Sequence, residues 1–273
     1  MTIDEALRAA ALRLAATSET ARLDAELLMA HALGGTRESL LLGDRRAPAP
    51  AAFAPLIESR LAGEPVAYLT GSRDFWTITL AVGPGALVPR PDSETLLEAA
   101  LDHFGAAGPR TVLDLGTGPG TLLLAALAQW PRATGLGIDR SEEALAYARI
   151  NAAALGLADR VDLRIGDWAE GIDTAFDLVL ANPPYIESDA ILPRDVAEHE
   201  PAGALFAGAD GLDAYRILAS QISALLRPGG MAAIEIGASQ RAAVTDLFAA
   251  SGLRLAARAD LAGRDRAILL YRD

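Results

Sequence analysis

A carboxamide, two prolines and an aromatic ring stand side by side in the sequence at Asn182, Pro183, Pro184 and Tyr185. They follow residues 176–181, an apolar run that is typical of a buried strand. Two consecutive prolines exclude a helix and remove two backbone donors. The segment therefore predicts a rigid turn that presents one amide group and one ring at the end of a strand. The alternative is an ordinary cis-proline turn that only ends the strand.

A glycine-rich turn with an acid further along the chain is the second candidate site. Gly116, Gly118 and Gly120 lie between an apolar strand and an apolar helix, where glycine lets a ligand approach the backbone closely. Asp139 ends the next strand, and an acid at that point can hold two ribose hydroxyls. The spacing is G-x-G-x-G and not the dinucleotide pattern G-x-G-x-x-G. The glycines alone could therefore also form a mere tight turn.

Asp167 and Trp168 follow the third strand and offer a carboxylate and a flat ring, where an adenine would lie. Each has a structural alternative, a turn cap for Asp167 and a core position for Trp168. Open α/β sheets bind ligands in the crevice at the carboxyl ends of their strands. Taken together, the three strand ends predict one binding crevice.

Several kinds of chemistry are excluded by residues that the sequence lacks. It has no cysteine, and all 24 basic residues are arginine, which excludes disulfides, thiol nucleophiles, Schiff-base lysines and P-loop lysines. The three histidines, His31, His103 and His199, show no metal-ligand spacing, and we expect no metal. The N-terminus does not resemble a signal peptide, and no apolar run reaches the roughly 18 residues of a membrane span. We expect a cytoplasmic protein with no membrane partner.

The charge is acidic and unevenly distributed. The net charge is −12, of which residues 1–80 carry −2 and residues 81–273 carry −10. A nucleic-acid-binding surface usually shows as a basic patch, because phosphate contacts supply much of the affinity. We therefore expect no direct nucleic-acid partner.

The pattern of elements divides the chain into three parts. Residues 1–62 predict a small helical domain, with helices that begin near Glu5 and cover 20–33 and 53–61. Residues 63–85 predict a linker, with short strands of a β-hairpin at 67–69 and 76–80.

Residues 86–273 predict the catalytic domain, because strands alternate with helices there. Strands are expected at 111–115, 135–139, 161–165, 176–181, 231–236, 253–258 and 266–271, with helices at 122–129, 142–155, 212–226 and 240–250 and a turn at 227–230. This alternation predicts an α/β fold with a seven-stranded, doubly wound and mostly parallel sheet.

Residues 114–120, Asp-Leu-Gly-Thr-Gly-Pro-Gly, together with Asp139, resemble the S-adenosylmethionine site of class I methyltransferases, which have a Rossmann-like fold. The Asn-Pro-Pro-Tyr segment is similar to the motif of methyltransferases that act on planar nitrogen. The resemblance implies S-adenosylmethionine as cofactor and S-adenosylhomocysteine as product. The residues implied to contact the cofactor are Gly116, Thr117, Gly118, Pro119, Gly120, Asp139, Asp167, Trp168 and Asn182.

A planar nitrogen would explain the rigid turn. Its lone pair is delocalised, so it attacks a sulfonium methyl group poorly. The Asn182 side-chain oxygen and the Pro183 carbonyl could accept its N–H groups, stabilise the developing positive charge and align it with the methyl group. The resemblance implies catalytic roles for Asn182, Pro183 and Tyr185. It also implies that Asn182, Pro183, Pro184 and Tyr185 bind the substrate, with the Tyr185 ring against the planar group that carries the nitrogen.

Five further segments narrow the range of possible substrates. They are similar, in the same order, to segments of the PrmC or HemK family of protein glutamine N5-methyltransferases. These segments are Gly63–Trp76, Leu87–Leu101, Glu200–Arg216, Ile234–Gly237 and Ala262–Ile268. The resemblance covers about residues 20–273. It implies methylation of the Gly-Gly-Gln glutamine of peptide-chain release factors, which tunes translation termination. It also implies that the N-terminal helical domain helps to grip this partner. We expect a monomer.

The chain departs from this family at two positions. His199 stands where an aromatic residue usually precedes the Glu-Pro pair, and Ala181 stands where serine is frequent. The roles of eight further residues stay open. Each could contact a ligand or could only complete a helix start, the core or a loop. These residues are Arg90, Asp92, Glu94, Phe75, Trp76, Glu200, Pro201 and Glu235.

Two rival functions share parts of these patterns. A methyltransferase of adenine, cytosine or guanine amino groups would carry the same Asn-Pro-Pro-Tyr motif, but we would expect a basic face on it. A non-catalytic binding protein on a methyltransferase fold would typically have lost the glycine turn, the ribose acid or the Asn-Pro-Pro-Tyr motif. All three motifs are intact here.

Overall fold

The computed structural model describes residues 1–273 and divides them into two compact units. One, here called the helical unit, contains residues 1–72 and 192–200; the other, the α/β unit, contains residues 73–191 and 201–273. The helical unit is therefore longer than the predicted helical domain and takes in a segment from the second half of the chain. None of the helices is long and apolar enough to cross a membrane.

Six helices form the helical unit, and their apolar faces make its core. They are α1 (Ile3–Leu14), α2 (Ala21–Ala32), α3 (Arg37–Leu42), α4 (Phe53–Leu61), α5 (Val66–Thr70) and, in the second segment, α9 (Arg194–His199). Leu7, Leu14 and Leu28 are fully buried among them. Helix α1 begins with a capping box, in which Thr2 and Glu5 each accept the other's backbone N–H.

The predicted strand at 67–69 is wrong, because these residues lie in α5. Pro65 stands directly before this helix, where its fixed φ suits a helix start, and Gly71 ends it with a left-handed φ of +70°. The hairpin begins one element later, with β1 (Ser72–Phe75) and β2 (Ile78–Ala81).

The α/β unit is built on one seven-stranded sheet, which confirms the predicted fold class. Its strands are β3 (Thr111–Leu115), β4 (Thr134–Asp139), β5 (Val161–Ile165), β6 (Phe176–Ala181), β7 (Leu226–Glu235), β8 (Arg254–Ala259) and β9 (Asp265–Tyr271). Their order is β5-β4-β3-β6-β7-β9-β8. Strands β3 to β7 are parallel, and β9 runs antiparallel to both β7 and β8.

The helices of this unit are α6 (Glu94–Phe104), α7 (Thr121–Gln129), α8 (Glu142–Ala154), α10 (Asp213–Leu225) and α11 (Arg241–Phe248). The turn predicted at 227–230 is instead the irregular first part of β7, where the register with β6 shifts. Gly229 has a left-handed φ of +77°, and backbone hydrogen bonds join Gly229 and Gly230 to Arg272.

The order of the strands decides where a ligand can bind. The chain runs outward from β3 through β4 to β5 and then returns to place β6 on the other side of β3. At such a reversal the connections leave the two central strands in opposite directions and open a crevice at their carboxyl ends. The glycine turn follows β3 and the Asn-Pro-Pro-Tyr segment follows β6, so both candidate motifs lie at this point.

Candidate functional site

A cleft lies at the carboxyl ends of β3, β4, β5 and β6, entirely within the α/β unit. Its free space is about 1070 Å³, which includes some open solvent at its mouth. Most of the candidate residues line it, namely Gly116, Thr117, Gly118, Pro119, Asp139, Asp167, Trp168, Asn182 and Pro184. The other three candidates, Gly120, Pro183 and Tyr185, are not among its lining residues.

The glycine turn is held against the neighbouring strand by its backbone. The N–H groups of Gly116 and Thr117 both donate to the carbonyl of Ile138, each over 2.9 Å. Gly120 has a φ of +87°, and a Cβ there would lie 2.7 Å from a methyl carbon of Leu124. Glycine is therefore required at this position by the backbone turn that starts α7 and not by contact with a ligand.

Asp139 is oriented by two backbone amides. Its Oδ2 accepts from Gly118 N–H over 2.8 Å, and its Oδ1 accepts from Ser141 N–H over 2.9 Å. Each carboxylate oxygen can accept more than one hydrogen bond. The carboxylate is thus fixed in direction while it keeps the capacity to accept a pair of hydroxyl groups from the cleft.

Asp114 is the first residue of the Asp-Leu-Gly-Thr-Gly-Pro-Gly segment and lines the cleft. It is buried, and its Oδ2 accepts from the Thr117 hydroxyl over 2.7 Å and from Leu123 N–H over 3.1 Å. Its Oδ1 is buried without a hydrogen-bond partner. Burial raises the pKa of this carboxyl to about 7, and the nearby charge of Asp139 adds to the effect. A cationic group in the cleft would satisfy the free oxygen.

Trp168 presents its ring to the cleft from a strained backbone. Its φ is +50°, in a region that bulky residues rarely adopt. The side chain is half-buried and packs against the core beneath the sheet, while Asp167 beside it is exposed. Strain of this kind persists only where the surroundings fix it, and it is frequent at ligand sites.

Asn182 follows β6 with its carboxamide in a defined direction. Its Nδ2 donates to the hydroxyl of Ser93 over 3.1 Å. This hydrogen bond assigns the donor end of the amide to Ser93, so the acceptor end, Oδ1, is turned away from it. Ser93 is buried and lines the cleft, and it was not predicted as a site residue.

Tyr185 is held by Gln240, which was also not predicted as a site residue. Gln240 Nε2 donates to the Tyr185 carbonyl over 3.0 Å and to the Gly211 carbonyl over 3.3 Å. A Cβ on Gly211 would collide with the Tyr185 carbonyl.

Burial raises the pKa of the Tyr185 hydroxyl, and the charge of Glu235 raises it further. No peptide bond is cis, so the cis-proline alternative does not apply.

The residues whose roles were left open separate into two groups. Arg90 and Pro201 line the cleft. The others do not line it. Asp92 pairs with Arg266 over 3.0 Å, Glu94 accepts from Trp76 N–H over 2.8 Å, Trp76 Nε1 donates to Gln129 over 3.0 Å, and Phe75, Glu200 and Glu235 are buried.

Two family models match the chain. The PrmC N-terminal domain matches residues 5–71, and a methyltransferase domain matches residues 109–251. Among solved structures, a T. thermophilus 16S rRNA methyltransferase in complex with AdoMet and guanosine matches with a TM-score of 0.54. It is 21% identical and covers 74% of this chain and 50% of that chain. The fold and the matched domain define a class I methyltransferase.

Curated relatives resolve the family more finely. Release factor glutamine methyltransferase of Rhodospirillum rubrum is 46% identical, over 93% of this chain and 80% of the relative. The protein of the same name from Cereibacter sphaeroides is also 46% identical, over 97% and 96%. The chain belongs to the release factor glutamine methyltransferase family.

Proposed function

We propose that this methyltransferase transfers a methyl group from S-adenosylmethionine to the side-chain amide nitrogen (N5) of a glutamine, in the Gly-Gly-Gln motif of peptide-chain release factors. The observation that carries the proposal is the oriented carboxamide of Asn182 at the cleft that the glycine turn forms. The names of the relatives support the choice of glutamine and of release factors.

The residues of the cleft fit S-adenosylmethionine. The unpartnered Oδ1 of Asp114 suits the ammonium group of the methionine part, the fixed carboxylate of Asp139 suits the ribose hydroxyls, and the Trp168 ring suits the adenine. When bound, the cofactor supplies an activated methyl group on a positively charged sulfur. Gly116, Thr117, Gly118 and Pro119 would leave room for it along the turn, with Gly120 behind them and Asp167 at the rim.

The amide of the substrate needs acceptors for its two N–H groups. Asn182 Oδ1 is turned away from Ser93, and the Pro183 carbonyl belongs to the same rigid turn. If both accept from the nitrogen, they stabilise the positive charge that develops on it and hold its lone pair toward the methyl group. Pro184 and the Tyr185 ring would contact the planar amide. The methylated nitrogen then loses a proton to water without a general base.

Recognition of the whole release factor would involve the helical part of the chain. A glutamine on a short peptide offers few contacts, too few for selection among many glutamines. We assign docking to residues 1–62, a linker role to residues 63–85 and catalysis to residues 86–273. We further propose that the protein is a cytoplasmic monomer and that it does not bind nucleic acid directly.

The test is incubation of the purified protein with a purified release factor and S-adenosylmethionine that carries a labelled methyl group. Peptide mass spectrometry should find one methyl group on the Gly-Gly-Gln glutamine and none when that glutamine is replaced by asparagine. Label in duplex DNA or ribosomal RNA, with none at the glutamine, would favour the rival amino methyltransferase of nucleic acid.

Docking is tested with point variants, since the helical unit extends beyond residue 62 and a deletion there would cut through it. Leu12 and Leu42 are 80% and 90% exposed. Changing both to aspartate should lower methylation of the intact release factor by about tenfold and leave methylation of a Gly-Gly-Gln peptide unchanged. Ile191→Asp, at an apolar residue of the α/β unit that is 98% exposed, is the matched control. Equal losses with protein and peptide substrates would reject the docking role.

A further inference from the structure

A chain of hydrogen bonds runs from Asn182 away from the cleft. Asn182 Nδ2 donates to the Ser93 hydroxyl over 3.1 Å, and Ser93 in turn hydrogen-bonds to the carboxyl of Glu235. Ser93 and Glu235 are each only 1% exposed. Asn182 and Ser93 line the cleft, whereas Glu235 lies behind them. These three residues come from the end of β6, the start of α6 and the end of β7, so three elements meet at this chain.

Glu235 has an unusual environment for a carboxylate. Its Oε2 is buried and has no hydrogen-bond partner. The charged and titratable groups around it are Arg266, Arg90, Asp92, Tyr185 and Tyr215. Burial is the largest influence and raises the pKa of Glu235 to about 7, against the opposing effects of the Ser93 hydrogen bond and of Arg266.

We propose that Ser93 and Glu235 are positioning residues that fix the direction of the Asn182 carboxamide, and thereby the identity of the atom that faces the methyl-accepting nitrogen. The inference rests on the proposed function. It extends that function because it assigns both residues a role that acts through Asn182.

The direction in which the Ser93 hydroxyl donates explains how the chain of hydrogen bonds orients the Asn182 carboxamide. An ionised Glu235 can only accept, so the Ser93 hydroxyl donates its hydrogen bond to the carboxylate, and the Ser93 oxygen must then accept from Asn182 Nδ2. A protonated Glu235 can donate to the Ser93 oxygen. The Ser93 proton is then free to point at Asn182, and it would favour the flipped amide, with Oδ1 toward Ser93 and Nδ2 toward the substrate. The flipped amide repels the substrate N–H groups instead of accepting from them.

The first experiment removes the hydroxyl. Ser93→Ala should lower kcat by about 10- to 30-fold, while the cofactor dissociation constant stays within about twofold. Ser93→Thr, which keeps a hydroxyl, should restore kcat to within about threefold of the wild type. Ser220→Ala, at an exposed position of α10, is the control for loss of a serine hydroxyl that bonds only to its own helix. A Ser93→Ala variant with wild-type kcat would overturn the proposal.

The second experiment follows kcat against pH at saturating cofactor and substrate. In the wild type, kcat should fall as the pH is lowered through about 7, since Glu235 then becomes protonated. Glu235→Gln should have a lower kcat that varies little over the same range, because the side chain no longer titrates. An acid limb that persists unchanged in Glu235→Gln would show that another group is responsible and would overturn the role of Glu235.

The two proposals fail in different ways. If the wild type places no methyl group on the glutamine, the proposed function is wrong. If the wild type is active and the Ser93 and Glu235 variants match it in kcat and in pH profile, only the positioning role is wrong. Thermal unfolding of each variant, with and without cofactor, separates a catalytic loss from a loss of folded protein.

Discussion

Oδ2 of Asp139 and the backbone N–H of Gly118 are joined by a hydrogen bond of 2.8 Å, which links the end of β4 to the turn after β3. The acid and the glycine turn therefore form one structure and not two separate motifs. Because the other oxygen of Asp139 accepts from Ser141 N–H at the start of α8, the carboxylate also organises the next helix. Its loss should affect ligand binding through both the missing acceptor and the loosened turn.

Asp139→Ala should lower the affinity for S-adenosylmethionine by about 10- to 100-fold, because charge-assisted hydrogen bonds of about 1.5–3 kcal/mol are lost. Isothermal titration calorimetry measures the effect. Glu142→Ala, which removes an exposed acid on α8 that pairs with Arg149, should bind normally. Unchanged affinity in a folded Asp139→Ala variant would remove this residue from the ribose role.

Asn182→Ala should separate binding from transfer. The cofactor should bind within a few-fold of the wild type, while methyl transfer should fall by about 10²- to 10³-fold, as expected when one oriented group that stabilises a transition state is deleted. Single-turnover assays with saturating cofactor measure the rate of the chemical step. Transfer within threefold of the wild type would contradict the role of the carboxamide.

Asp114 predicts a pH-dependent affinity for the cofactor. The pKa of its buried carboxyl is raised to about 7, and a cationic ammonium group binds the ionised form. Affinity should therefore be full above about pH 8 and fall by up to about tenfold as the pH drops to about 6. Calorimetry across this range tests it. Asp114→Asn should bind more weakly and without this pH dependence, so an identical dependence in the variant would assign the effect elsewhere.

The helical unit contains a buried ion pair whose loss can be compared with that of an exposed one. Arg60 Nε lies 2.8 Å from Asp24 and its guanidinium 3.3 Å from Asp195, with the Arg60 and Asp24 side chains 9% and 7% exposed. Arg60→Ala leaves a buried carboxylate and should cost about 3–5 kcal/mol in the free energy of unfolding.

Arg13→Ala is the matched control, because Arg13 makes a two-bond pair with Glu58 on the surface, with side chains 51% and 62% exposed. It should cost less than about 1 kcal/mol. Urea unfolding measures both variants. Hydrogen exchange should also show faster opening of residues 192–200 in Arg60→Ala, and equal costs for the two variants would refute the importance of burial here.

Most strands and helices could be predicted from the sequence because each carries a strong local pattern, although α3 and α9 were not predicted. The apolar strands β3 and β6 and the glycines after β3 are recognisable within a few residues of chain. Hence the fold class and the location of the cleft were predicted correctly. Helix α5 was missed because Val66–Thr70 is short and rich in residues that also favour strands.

The supporting residues of the site could not be predicted, because their roles depend on long-range contacts. Ser93 and Asn182 are 89 residues apart, and nothing near Ser93 in the sequence indicates a partner in the segment after β6. Glu235 looks like the end of an apolar strand, and only burial of its carboxyl next to Ser93 shows its place in the chain of hydrogen bonds. Gln240 likewise reaches the Tyr185 carbonyl across 55 residues.

The pairing of Arg60 with Asp195 has a consequence for the folding of the protein during its synthesis on the ribosome. These partners are 135 residues apart, and the ribosome completes the first 72 residues long before residues 192–200 emerge. Until then Arg60 has Asp24 as its carboxylate partner, and α9 is missing from the unit. Strands β3 to β6 are synthesised in this interval. The helical unit is thus begun first but finished only after much of the sheet has been made, so folding during translation is nested and not one domain after the other.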